Sequence, residues 1–224
     1  MTLRAVVFDF GMVLSSEPEQ TAHADLIRLS GIPDELLDSL YWKYRHAYDE
    51  GALSGLAYWR QIASDAGLRL DETRISELAE CDARMWTTEN PAMVSWALAL
   101  KAGGLRIAIL SNIGDVVQIS LEQHLPWVAD FDVRVWSHEL RMAKPDPAIY
   151  AHTLQQLDVA PAEAIFIDDR EVNIDAARTM GIQAIHFTGM AALREQLVAL
   201  GLGTSLPLPT AAAASPAEID KLKG

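Results

Sequence analysis

The chain is nearly devoid of cysteine. Cys81 is the single one in 224 residues, so no intrachain disulfide can form, as expected in a reducing compartment. A lone thiol can serve as a nucleophile, but its helical surroundings favour a semi-buried packing role for Cys81. No apolar run approaches the roughly 20 residues of a membrane-spanning helix. The first residues carry no basic segment, apolar stretch and small-residue cleavage site of the secretory kind, so a cytoplasmic protein is expected. Positive charge is also scarce. There are 18 Lys and Arg against 31 Asp and Glu, a net charge of −13, and the basic residues form no cluster. Such a surface repels nucleic acid and anionic lipid, and neither is expected as a partner. An anionic substrate would need a cation placed locally. Internal repeats are absent. A monomer or a homodimer is expected.

What remains is an ordinary globular composition, 50% hydrophobic and 22% charged, with room for one large domain or a core carrying a smaller insert. Residues 4–9 (RAVVFD) read as a buried parallel strand, a short apolar run that delivers Asp9 to its end and turns at Gly11. From about Pro18 to Asn90 the spacing is helical throughout. Ala22, Leu26 and Leu29 recur on one face, as do Leu36, Leu37 and Leu40, and Gly31-Ile32-Pro33-Asp34 breaks the first two helices. From Pro91 helices and strands alternate. Strands are expected at 105–112, 131–136, 164–169 and 182–187, and helices at 91–102, 115–124, 146–157 and 172–180. Alternation of this kind predicts a doubly wound α/β fold, a parallel sheet covered on both faces, with an all-helical cap inserted after the first strand. The expected domains are a core of 1–15 and 91–202, a cap of 16–90, and a flexible Ala/Pro/Ser-rich tail of 203–224.

Ligands of open parallel sheets bind beyond the carboxyl ends of the strands. The polar residues expected there are Asp9, Ser111-Asn112 and Asp168-Asp169, with Lys144 just before the helix at 146. Three clustered carboxylates need a cation to stay ionised together. Oxygen ligands of this type suit Mg²⁺ beside a substrate phosphate. With Lys144, the cation would reverse the local field and attract a phosphoryl group, which Asp9 could attack as a nucleophile. The bland readings are a turn-capping Asp9, an ordinary loop at Ser111-Asn112, a solvated Lys144 and a helix-capping pair at Asp168-Asp169.

Four motifs in order, FDFG, ILSN, AKPDPAIY and FIDDREVNIDAARTMGI, resemble those of the haloacid dehalogenase-like hydrolase superfamily, in its helical-cap branch. The resemblance covers about residues 4–200. It implies a phosphatase acting on a small phosphorylated metabolite, such as a sugar phosphate, through an aspartyl phosphate, with Mg²⁺ as cofactor. It implies that Asp9 is the nucleophile and a metal ligand, and that Gly11 offers the metal its main-chain carbonyl. Ser111 and the amide of Asn112 would hold phosphate oxygens, and Lys144 would neutralise charge. Asp169 would bind the metal directly with Asp168 behind it, and Asn173 would orient metal waters.

One position departs from the pattern. Phosphatases of this superfamily usually carry a second Asp two residues after the nucleophile, where this chain has Gly11. Glycine transfers no proton. Metal-independent 2-haloacid dehalogenases of the superfamily also lack that acid, but do not need the acidic pair. A protein that binds a phosphorylated metabolite or a partner without turnover is the other alternative. His23 and Glu17, soon after the nucleophile, are the substitute acids the sequence offers. The cap aromatics Tyr41, Trp42, Tyr44, Tyr48, Tyr58, Trp59 and Trp86 are expected to be mostly core, with one or two on the cleft.

Overall fold

The computed structural model of the chain describes residues 3–203 and 206–209. Five parallel strands form one sheet: β1 (Ala5–Phe8), β2 (Arg106–Ser111), β3 (Val133–Trp136), β4 (Ala164–Asp168) and β5 (Gln183–His186), in the order β3-β2-β1-β4-β5. The first strand is therefore central, and all four of its residues are buried. Period-two alternation sends Val6, Phe8, Ile107, Ile109, Ile165 and Ile167 into one core and Ala5, Val7, Ala108, Leu110 and Phe166 into the other. Both faces are apolar because helices cover both, which is why the strands read as continuous apolar runs. Phe8 lies in register with Ile109 on one side and Ile167 on the other. The three strands therefore end at one level, and the next residues of each share one edge.

Between β1 and the core helix α5 (Pro91–Ala102) come four helices, α1 (Gln20–Ser30), α2 (Asp34–Asp49), α3 (Gly55–Asp65) and α4 (Glu72–Met85). Their ends follow local chemistry. Gly31 closes α1 in the left-handed conformation. The side chains of Ser54, Asp71 and Asn90 cap α3, α4 and α5. The two connections to the core run side by side: Ser15 bridges Glu89, Ser16 N donates to Thr88 O at 2.8 Å, and Asn90 N donates to Leu14 O at 2.8 Å. Tyr41, Tyr48, Tyr58 and Trp59 are buried in the helical insert, with Tyr48 and Tyr58 stacked at 4.8 Å. Cys81 is buried too, its thiol on the Ala22 carbonyl.

The core continues with α6 (Asp115–His124), the short α7 (Ser137–Leu140), α8 (Pro147–Leu157), α9 (Glu171–Thr179) and α10 (Met190–Ala199). The insert docks on this core through α4 against α6 and through the segment after α2. There Gly55 N donates to the Asp115 carboxylate at 2.8 Å, and the Ser137 hydroxyl donates to the main-chain oxygen of Asp49 at 2.5 Å.

The expectation of a flexible tail from residue 203 needs correction for 206–209. Leu206 and Leu208 pack against the core, and the Trp96 indole N–H donates to Pro207 O at 2.6 Å. Trp96 is buried on α5, and its donor has to find an acceptor. The remainder of the expected tail, 204–205 and 210–224, lies outside the described residues. Among the described residues no helix is long and apolar enough to cross a membrane.

Candidate active site

At the shared edge of the sheet the chain turns sharply after Asp9. The Asp9 carboxylate accepts from Phe10 N at 2.7 Å, which fixes its rotamer. The left-handed residue of this turn is Met12, with φ 59°, while Gly11 has φ −60°. Ser15 Oγ holds the strained position by accepting from Met12 N at 3.1 Å. Gly11 therefore occupies backbone that any residue adopts, and a Cβ there would meet no atom of the described residues beyond its chain neighbours within 4 Å.

Lys144 is buried and sits between two carboxylates, 2.8 Å from Asp9 Oδ1 and 2.7 Å from Asp168 Oδ2. Asn112 keeps it in place. Its side chain donates to Lys144 O and accepts from Lys144 N, both at 2.8 Å. Both ends of that amide are thus engaged, so a phosphate contact of Asn112 falls to its main-chain N–H. Asp168 is fully buried and further held by Asn173 Nδ2, at 2.9 and 3.0 Å to its two oxygens, and by Arg170 N at 2.8 Å. Asn173 is itself buried, and its Oδ1 has no hydrogen-bond partner among the described residues. Ser111 is buried at the end of β2, and its hydroxyl has no partner among the described residues.

Asp9, Asp168 and Asp169 each place a carboxylate oxygen within 4.8 Å of the others. Burial pushes the Asp9 carboxyl up to about 7; Lys144 pulls against the shift and Asp168 adds to it. Asp169 is raised by burial and by Asp168. Burial alone would lower Lys144, but Asp168 and Asp9 outweigh it and hold the ammonium charged. Three carboxylates against one ammonium leave two negative charges uncompensated when all are ionised. That is the charge of one divalent cation.

These groups face a cavity of about 670 Å³. Asp9, Gly11, Ser111, Asn112, Lys144, Asp169 and Asn173 line it from the core, and Asp168 stands behind Lys144. The sheet edge thus brings together the residues the motifs pointed to. His23 and Glu17 do not line the cavity. His23 lies 3.6 Å from Asp34, and Glu17 is exposed. The other wall belongs to the insert: Trp42, Arg45, His46, Asp49 and Trp86. Sequence reasoning reached the two tryptophans only as members of an aromatic set and missed the three polar residues. Arg45 and Asp49 stand four apart on α2, a spacing that ordinarily reads as a solvated ion pair. Instead Arg45 is buried, on Asp49 at 2.8 Å, against the Tyr41 hydroxyl, and 5.3 Å from the ring centres of both Tyr41 and Trp86.

Haloacid dehalogenase-like hydrolases match this chain over residues 3–181. The chain belongs to that family. Like its other members it is a hydrolase on an α/β core. Among curated relatives, the sesquiterpene phosphatase astK of Aspergillus oryzae is 30% identical over 196 residues, 84% of this chain and 91% of the relative. The (S)-2-haloacid dehalogenase 1 of a Pseudomonas species is 26% identical over 193 residues, 82% of this chain and 83% of the relative. A haloacid dehalogenase family enzyme of Bacteroides thetaiotaomicron, solved with magnesium and inorganic phosphate, superposes with a TM-score of 0.66 at 21% identity, over 82% of this chain and 93% of the other. The last likeness concerns the fold.

Proposed function

We propose that this hydrolase is a Mg²⁺-dependent phosphatase of small phosphorylated metabolites, working through an aspartyl phosphate. The observation that carries the reading is the buried Lys144 ammonium between Asp9 and Asp168, with Asp169 completing a set of carboxylates whose excess charge equals that of one divalent ion. A phosphoryl substrate needs such a cationic pocket. The curated phosphatase relative supports the same reading. We read residues 16–90 as a cap domain over a core of 1–15 and 91–202, the cavity lying between them.

The donor set fits Mg²⁺. Its ligands are carboxylate oxygens, the hard oxygen donors that this ion selects. Burial and the neighbouring Asp168 raise the Asp9 and Asp169 carboxyls, a cost that a divalent cation would relieve, and Asn173 Oδ1 is a buried acceptor with no partner among the described residues. Asp9, Asp169 and the Gly11 carbonyl would hold the ion, with Asp168 and Asn173 behind. When bound, it neutralises phosphate charge and keeps the carboxylates ionised.

The protein's own groups then divide the work. The Asp9 carboxylate attacks phosphorus, and the P–O bond to the leaving group breaks. Lys144 offsets charge on Asp9 and the phosphoryl oxygens. The Ser111 hydroxyl and the Asn112 amide hold those oxygens. Water then attacks the phosphorus of the acyl phosphate and frees Asp9. The rival is a haloacid dehalogenase. Gly11 and the Pseudomonas relative favour it, whereas the buried acidic set weighs against it.

The test is hydrolysis of p-nitrophenyl phosphate with Mg²⁺ and with EDTA. Wild type should be active with Mg²⁺ alone, and Asp9→Asn should lose on the order of 10³-fold or more. Asp169→Ala should weaken Mg²⁺ binding in calorimetry more than Asn173→Ala. Chloride release from 2-chloropropionate in EDTA, without phosphatase activity, would overturn the reading.

A further inference from the structure

Gly11 leaves the proposed chemistry without a proton donor for the leaving oxygen. The cavity walls limit what can replace it. Arginines do not give up protons at working pH, which removes Arg45 and Arg170. Lys144 is locked between Asp9 and Asp168. Asp9 is the nucleophile, Asp168 lies behind it, and Asp169 belongs with the cation. Of the remaining cavity groups, His46 and Asp49 can transfer a proton.

They differ in setting. The His46 side chain is 74% exposed, with Glu50 at 3.7 Å as its one side-chain partner among the described residues. The Asp49 side chain is 14% exposed. Its Oδ1 accepts from Arg45 Nε at 2.8 Å, while Oδ2 has no partner among the described residues. Its main chain is tied to the core by one hydroxyl. Ser137 Oγ donates to Asp49 O and accepts from Ile113 N at 2.9 Å, and Ile113 directly follows Ser111-Asn112. Asp49 thus stands beside the loop that would hold the phosphate. Burial pushes its carboxyl up to about 6 against the pull of Arg45. Such a group both gives and takes a proton near neutral pH.

We infer that Asp49 supplies from the helical insert the proton transfer that Gly11 cannot. The inference rests on the phosphatase reading. As Asp9 forms its bond to phosphorus, the bond from phosphorus to the leaving oxygen breaks, and the Asp49 carboxyl proton moves to that oxygen. In the second half a water oxygen attacks phosphorus. Asp49 takes the water proton and regains its starting state, and the acyl-phosphate bond breaks to restore the Asp9 carboxylate. Arg45 is a positioning residue, held by Tyr41 and Asp82 so that one Asp49 oxygen faces the cavity.

The experiment uses the full chain with Mg²⁺ and two esters, p-nitrophenyl phosphate and glycerol 3-phosphate. The alkyl leaving group needs a proton far more than the nitrophenolate does. Asp49→Asn should cost about 100-fold or more in kcat on the alkyl ester and less than about tenfold on the aryl ester. Adding Gly11→Asp to Asp49→Asn should restore at least about tenfold on the alkyl ester. At Gly11 the backbone suits a non-glycine residue, and a Cβ there meets no described atom beyond its chain neighbours within 4 Å. Asp49→Glu gives a second variant if Asn folds poorly, and it should keep more alkyl-ester activity than Asn. Equal losses on both esters, no loss on either, or the same selective collapse in His46→Gln would overturn the inference while leaving the phosphatase reading standing. A wild type inactive on every phosphate ester would overturn both.

Discussion

Gly114 lies directly beneath the ring of Tyr48. A Cβ built on this glycine overlaps the ring atoms of Tyr48. Gly114 closes the loop that follows Ser111-Asn112, and Tyr48 is a buried residue of α2 next to Asp49. The close approach of insert and core at this point therefore depends on a missing side chain. Two neighbouring contacts strengthen it, Gly55 N on Asp115 and Ser137 on the Asp49 carbonyl.

Gly114→Ala should consequently separate the two layers at the cavity. Overpacking of this kind costs about 1–3 kcal/mol. The variant should melt several degrees below wild type, and hydrogen exchange should quicken at the Gly55 amide. An unchanged melting temperature with unchanged protection there would show that the ring yields freely.

Removing Lys144 should damage stability as well as turnover. Lys144→Met leaves Asp9 and Asp168 buried against each other without their ammonium. Breaking a buried pair by deleting one partner costs about 3–5 kcal/mol. In EDTA at neutral pH the variant should melt well below wild type. The deficit should shrink on acidification, because protonating a carboxyl removes the repulsion. A deficit independent of pH would contradict this account of Lys144.

Asp49 and Asp82 predict a pH dependence in the insert. Burial raises both carboxyls, Asp49 from an ordinary 3.8 to about 6, against the pull of Arg45. A carboxyl whose folded pKa lies above its unfolded value stabilises the fold when protonated. That contribution is complete below the unfolded value and is lost as pH rises through the folded one. Wild type should therefore gain thermal stability from these groups between pH 7.5 and 5.5. Asp49→Asn should gain less over the same interval. Equal gains in the two proteins, followed by calorimetry, would remove Asp49 as the source.

The alternation of short apolar runs with helical spacing determined, by itself, a parallel sheet with helices on both faces. Strands buried on both sides have little choice of composition, so the pattern is legible without contacts. The same logic made Asp9, Ser111, Lys144, Asp168 and Asp169 readable as one group. Asp9, Ser111, Asp168 and Asp169 are polar residues at or just beyond the ends of apolar strands, and parallel pairing aligns those ends, while Lys144 was read from its place just before a helix. Asn173 was harder to place. It lies on a helix, and only the packing of α9 decides that it turns inward to Asp168.

The opposite wall was decided by tertiary structure alone. Arg45 and Asp49 look like an exposed helical pair until the aromatic rings of the insert close around the guanidinium. The docking at Gly114, Ser137 and Asp115 then brings Asp49 to the cavity that Ser111 and Asn112 also line. Residues 206–209 are a similar case, since an Ala/Pro/Ser-rich segment gives no sign that Trp96 awaits the Pro207 carbonyl. The physical reason is common to all three. Backbone periodicity records which face of an element is apolar, whereas the partner of a buried polar group depends on how elements far apart in the chain are oriented when they meet.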